Sequence, residues 1–321
     1  MTFLLIPAKG LSQADTNIVW PQPPDQPRIK YVETISSQQP FKQESGGFFS
    51  KITSFLFGEH KEPQWFVQPV GIAVSRDGII YVADPGAHGV HVVNRDKKEY
   101  DFLSQTKLGS FLSPIGIVIA SDGTIYISDS ERGDITVLDK NRDPQYTFKD
   151  SLLRPTGITI FSEKLYVTDP GRHKVLMFDL RGKYLGEFGG RGSGDGEFNF
   201  PIAVSGISSL YVVDALNYRI QEFDPDGKFL SKFGRQGSAP GSLAGPKSVA
   251  LDSDSNVYVT DALMDIFQIF DKLGQLLLVI GRRGIGTGEF MSPGGITIDS
   301  NDYIYIVDML NKRIQIFRYL K

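Results

Sequence analysis

Apolar residues in this chain fall into short alternating runs separated by clusters of Asp, Gly, Asn and Pro. A period of two broken by turn chemistry predicts strands rather than helices. One phrase recurs six times, as Tyr81-Val-Ala-Asp84, Tyr126-Ile-Ser-Asp129, Tyr166-Val-Thr-Asp169, Tyr211-Val-Val-Asp214, Tyr258-Val-Thr-Asp261 and Tyr305-Ile-Val-Asp308. Successive Asp residues stand 45, 40, 45, 47 and 47 apart. About twelve residues before each Tyr lies a proline, Pro69, Pro114, Pro155, Pro201, Pro246 or Pro293, and four of these continue as Pro-x-Gly-Ile.

Each unit holds room for four short strands. In the fifth they are predicted at Ser248 to Leu251, Val257 to Thr260, Phe267 to Phe270 and Gln275 to Ile280, with the turn clusters 252–256 and 271–274 between them. A four-strand repeat of this length is the signature of a propeller blade, so the predicted fold class is all-β, a six-bladed β-propeller of four-stranded antiparallel blades. The chain stops after Ile314-Gln-Ile-Phe317, the third strand of the last unit. Its missing outer strand is expected from the alternating segment Arg28 to Ile35, which would close the ring and hide its edges. Residues 28–321 then form one domain, after a tail at 1–27.

Composition narrows the function classes. With 34 Lys and Arg against 37 Asp and Glu the net charge is -3, which supplies no global field for nucleic acid or anionic membrane. No cysteine is present, which removes disulfides, thiolate nucleophiles and Cys-based metal sites. No window is long and apolar enough for a transmembrane segment. The N-terminal run Phe3 to Ile6, followed by Ser12-Gln13-Ala14, fits a signal remnant without its basic region. A periplasmic or extracellular location is expected on that ground, with a cytoplasmic one as the alternative.

Residues 36–68 break the repeat. Within them Phe48, Phe49, Ile52, Phe55 and Leu56 fall on one face of a predicted short helix, bracketed by Gly46-Gly47 and Gly58. Such a stripe either packs on the propeller or docks a protein partner.

The six Asp residues invite a metal-ring reading. They are better read as caps that accept backbone N–H bonds from the turns that follow them. Gly190 to Gly196 looks like a phosphate loop but precedes a strand rather than a helix, so it is not one. The three Gly-rich connections carry Arg191, Arg235, Arg282 and Arg283, a candidate positive rim for a small carboxylate or phosphate. His88 and His173 occupy equivalent places four residues after Asp84 and Asp169, on the same face. His91 is expected on the strand side that His88 occupies. The Asp252 to Asn256 segment lacks the Gly and Glu of a calcium loop and is predicted to be a turn.

The stretch Asp214-Ala-Leu-Asn217-Tyr-Arg219-Ile220, repeated as Asp308-Met-Leu-Asn311-Lys-Arg313-Ile314, resembles the NHL-repeat propeller family, as does Phe188-Gly189 leading through a Gly-rich loop to Pro201. Units one and two depart from it, with Gly89 and Asp134 in the Arg place. The resemblance implies a binding scaffold. It also admits a metal-dependent lyase or hydrolase at the channel mouth, as in peptidyl-hydroxyglycine amidating lyases and six-bladed lactonases, or single-stranded RNA binding. Arg219 and Arg313 are expected to tie blades together rather than touch ligand. The favoured expectation is a non-catalytic, bacterial and exported scaffold without a cofactor, taking a protein partner or small anionic ligand on its loop-rich face, with nucleic acid the weaker option.

Overall fold

A computed structural model describes residues 18–37, 41–43 and 65–321. Six antiparallel sheets are arranged around a central channel, each running from an inner to an outer strand. The first blade is Gly71–Val74, Ile79–Asp84, Gly89–Asn94 and Glu99–Leu103. The second is Pro114–Ile119, Ile125–Asp129, Asp134–Leu138 and Pro144–Phe148. The third is Ile158–Phe161, Lys164–Asp169, Lys174–Asp179 and Tyr184–Gly189. The fourth is Pro201–Gly206, Leu210–Asp214, Arg219–Phe223 and Phe229–Phe233. The fifth is Pro246–Leu251, Val257–Asp261, Ile266–Phe270 and Leu276–Gly281, within a residue or two of the expected strands. The sixth takes Pro293–Ile298, Tyr303–Asp308 and Arg313–Tyr319 from the C-terminus.

Closure is by strand exchange, as the sequence suggests. Ile29–Ser36 pairs antiparallel with Arg313–Tyr319, with Tyr31 opposite Phe317 and Ile35 opposite Ile314. Ile29, Tyr31 and Ile35 are buried in the seams on either side. The sheet continues beyond residue 28, because Val19–Trp20 adds a fifth strand and Trp20 meets Phe317 edge-on at 5.7 Å. On the first blade Lys42–Gln43 runs parallel to the outer strand, at Glu99 and Tyr100.

The core lies between blades rather than within one layer. Six apolar clusters fill the six seams, each drawing on two neighbouring sheets. The Tyr of each repeated phrase is buried there, and in four blades its hydroxyl is satisfied at a turn, as where Tyr166 donates to the Pro225 carbonyl of the next blade at 2.6 Å, while Tyr211 donates to Glu222 on its own blade. The Pro-x-Gly sequence has a steric cause at the channel wall. A Cβ on Gly71 would lie 1.9 Å from the Ile115 carbonyl oxygen, and one on Gly295 would lie 2.4 Å from that of Val70. Adjacent inner strands converge too closely there for any side chain.

Among the described residues the single helical element is the 3-10 turn Ala215–Asn217. The helix expected over Phe48, Phe49, Ile52, Phe55 and Leu56, and the signal-like stretch from Phe3 to Ala14, lie outside the described residues.

Candidate functional site

Antiparallel pairing places two sets of connections on one face of the ring: the loops from each outer strand to the next inner strand, and the turns from second to third strands. The repeated Asp ends the second strand of its blade at this face, buried in every unit. Its carboxylate accepts the amide of the residue two before the blade's proline, at 2.7 Å in five blades and 2.8 Å in the sixth: Val67, Leu112, Leu153, Asn199, Ala244 and Met291. In four blades it also accepts amides of the following turn, among them Ala87, Arg132, Arg172 and Met264. The Asp ring is therefore a set of caps, and its principal bond reaches back to the loop that enters the blade.

That bond sets out an apolar crown. In the first three blades the residue held by Asp is itself large and apolar: Val67, Leu112 or Leu153. In the last three it is Asn199, Ala244 or the half-buried Met291, and an exposed leucine stands instead two residues after the Asp: Leu216, Leu263 or Leu310. All six side chains are exposed, between 42% and 74%. The two positions are neighbours, since a Cβ on Gly86 would lie 3.0 Å from Val67 and one on Gly171 would lie 3.1 Å from Leu153. Each blade thus presents one large apolar side chain at this face, from either of two places. Phe200 and Ile285 add to the same surface. Exposed apolar side chains drawn from every blade to the same face make it a candidate contact surface.

The Gly-rich loops are built from the NHL-like residues. Arg219 donates from Nε to Asp214 at 2.7 Å, and from its terminal nitrogens to the carbonyls of Ser193, Gly194 and Glu197 at 2.8 to 2.9 Å. Arg313 repeats this with Asp308, Ile285, Gly286 and Glu289. Asn217 and Asn311 bridge the same Asp to the loop carbonyls of Gly192 and Gly284. These arginines tie the inter-blade loop down and are spent structurally. Phe198, Leu243 and Phe290 plug the loops from beneath, fully buried.

The four arginines expected as a rim lie on these loops and are exposed. Arg282 is engaged by Glu289 at 2.6 Å, whose carboxyl is held below its ordinary range by the Gly286 amide and by Arg282 itself. Arg191, Arg235 and Arg283 form no ion pair among the described residues. They are spread over three loops rather than gathered at one point.

His88 and His173 share the face but not a site. Each sits in a left-handed turn, with φ of 54° and 56°. His88 donates from Nδ1 to the Leu112 carbonyl at 2.6 Å, and His173 accepts the Phe200 amide at 3.2 Å. The expected pairing of His91 with His88 fails. His91 is three residues along, so the strand turns it inward, where it is wholly buried while His88 is exposed. His91 lies between Asp84 Oδ2 at 3.1 Å and the Tyr100 hydroxyl at 2.8 Å, with Phe66 edge-on at 4.8 Å. Burial pushes His91 below the ordinary imidazole range despite Asp84, so it is neutral, with Nε2–H donating to Asp84 and Tyr100 donating to Nδ1. Burial opposes ionisation of Asp84, yet bonds from His91 and the Gln68 and Val67 amides hold its carboxyl below its usual range. Among the described residues no three His, Cys, Asp or Glu side chains stand together as a metal site. Residues 252–256 form a turn as expected, with Asp252 Oδ1 accepting the amides of Asp254 and Asn256 at 2.9 Å.

The channel is a cavity of about 530 Å³ lined by all six inner strands. Among the described residues its lining is aliphatic with scattered Ser and Thr, and carries one charge, Lys247. Sequence reasoning passed over this residue. Its signal was a departure from the repeat, since the position after the blade proline is Val70, Ile115, Thr156, Ile202 or Gly294 elsewhere.

The family model DUF5128, described as a 6-bladed beta-propeller, matches residues 250–319. Similar solved structures include a Bacteroides thetaiotaomicron protein of unknown function, 15% identical over 91% of this chain and 75% of that one, with a TM-score of 0.65. An auxiliary nutrient binding protein of the same organism is 15% identical over 80% of this chain and 70% of that one, with a TM-score of 0.62. Virginiamycin B lyase from Staphylococcus aureus is 16% identical over 79% of this chain and 95% of its own, with a TM-score of 0.58. At such identities these likenesses define the fold, a six-bladed β-propeller, and leave function to the site.

Proposed function

We propose that this chain is an NHL-type propeller that binds rather than catalyses, taking a protein partner or a small anionic ligand on its loop-rich face. The observation that carries this reading is the apolar crown, exposed side chains from every blade on loops and turns that the buried Asp residues hold directly or through the residue they bond, with Arg191, Arg235 and Arg283, which form no ion pair among the described residues, on the same face. Rigid apolar anchors among cations suit a partner with an apolar, acidic surface. Likeness to a nutrient binding protein is compatible with it. The NHL assignment draws on the identical bonding of Arg219 and Arg313 in their loops. An exported location follows the signal-like N-terminus. No helix among the described residues is long and apolar enough to cross a membrane.

The lyase or hydrolase alternative finds support in the virginiamycin B lyase likeness. Against it, His88, His91 and His173 each have a different partner and none converges on the channel. Single-stranded RNA would want several exposed aromatics for stacking, whereas Phe198 and Phe290 are buried and Phe200 alone of the loop phenylalanines 198, 200 and 290 is exposed.

A combined variant, Leu153→Ser with Leu263→Ser and Leu310→Ser, tests the reading by comparison with wild type in capturing partners from the native host. Unchanged melting with lost capture supports it. Capture of the same partners by both proteins contradicts it.

A further inference from the structure

Resting on the reading of this face as a binding surface, we infer that the channel mouth holds the acidic group of a small monoanion with an apolar body, anchored by Lys247. Among the described residues Lys247 is the sole charged one lining the cavity, and it is exposed. It follows Pro246 at the inner-strand start, which places it at the crown end of the channel. No carboxylate lines the cavity, and Lys247 forms no ion pair among the described residues.

The neighbouring blades leave its surroundings apolar. The equivalent positions on either side are Ile202 and Gly294. Beside Gly294 the space is taken by Met309, whose sulfur would lie 2.9 Å from a Cβ there. Among the described residues no carboxylate neutralises this ammonium, so its charge is available to an anion that enters the mouth. One positive charge balances one negative charge, so a carboxylate is satisfied while a dianion would bring an unpaired charge into an apolar mouth. The apolar body would lie against the crown, where Leu263 stands directly over Gly245, two residues before Lys247. Such a ligand uses both features of the face, and neither a simple cation nor a neutral polar sugar does.

The test compares 4-phenylbutyrate with the uncharged 4-phenylbutanol by titration calorimetry at low salt. Wild type is expected to bind the acid at least tenfold more tightly than the alcohol, with the preference shrinking as salt rises. Lys247→Ile should abolish the preference, and Lys247→Arg should keep most of it. Lys272→Gln, on a turn of the opposite face, should match wild type. Equal binding of acid and alcohol, undiminished preference in Lys247→Ile, or no binding of the acid would each overturn the anchor. None of these results bears on the crown, whose triple variant is judged on partner capture. Loss of capture in that variant with no binding of the acid would remove the anchor alone.

Discussion

The Leu153 amide donates to the Asp169 carboxylate at 2.7 Å, while the Leu153 side chain stands 62% exposed on the loop-rich face. One contact thus joins a buried structural charge to a surface apolar group. The two parts separate by mutation. Asp169→Ala leaves the amides of Leu153, Arg154 and Arg172 without their acceptor, and is expected to cost about 3 kcal/mol of stability in urea unfolding. Leu153→Ser removes only exposed surface and should cost less than about 0.5 kcal/mol. Similar losses for both would mean that the side chain, too, is structural.

Closure of the ring by Ile29–Ser36 predicts that deleting residues 28–35 yields aggregated or unfolded protein, because the third strand of the sixth blade is left with an open edge. Ile35→Asp, which buries a charge in the seam, should do nearly the same. A soluble deletion variant with unchanged melting temperature would refute the closure.

Arg219→Lys tests how the Gly-rich loops are held. Lysine cannot reproduce a fork that reaches Asp214 and three loop carbonyls together, so a loss of about 1 to 2 kcal/mol is expected. Arg235→Lys, on an exposed side chain, should be neutral within about 0.5 kcal/mol. Equal effects in urea unfolding would show that Arg219 is not the tie.

The buried pair of Asp84 and His91 makes an acid-sensitive element. His91 has a folded pKa below its unfolded value of 6.5, so the unfolded chain takes up the proton first and stability falls as pH drops below about 6.5. Asp84, also depressed, adds to the loss at lower pH as its carboxylate protonates. Glutamine occupies the place of His91 in the last three blades, at Gln221, Gln268 and Gln315, which makes His91→Gln the natural comparison. Between pH 7 and 5 the wild-type urea midpoint should fall more than that of His91→Gln. Parallel curves would contradict the assignment.

The architecture was legible because a blade repeats its backbone demands. Each blade needs a capping Asp, a seam Tyr and a tight inner strand, so the same letters return. The crown was not legible, because its side chain is drawn from one position in three blades and another in the rest, and no single column of the repeat shows it. Lys247 could have been found only as an exception to the column holding Val70, Ile115 and Ile202. The Asp residues read correctly as caps, but their main partner lies fifteen to seventeen residues upstream, a distance that pairing of inner and second strands closes and local turn chemistry does not reveal. His91 was misplaced through its spacing from His88. Three residues along a strand reverse the side, and that sent His91 into the seam.

The central claim is that the face bearing Val67, Leu112, Leu153, Leu216, Leu263 and Leu310 is where this protein binds. Hydrogen–deuterium exchange on the chain with and without a captured partner or ligand tests it most directly. Slowed exchange is expected in the loops entering the blades, at residues 65–69, 110–113, 151–156, 198–201, 243–247 and 290–295. Protection confined to the opposite turns, such as residues 252–256 and 271–274, with these loops unchanged, would contradict it.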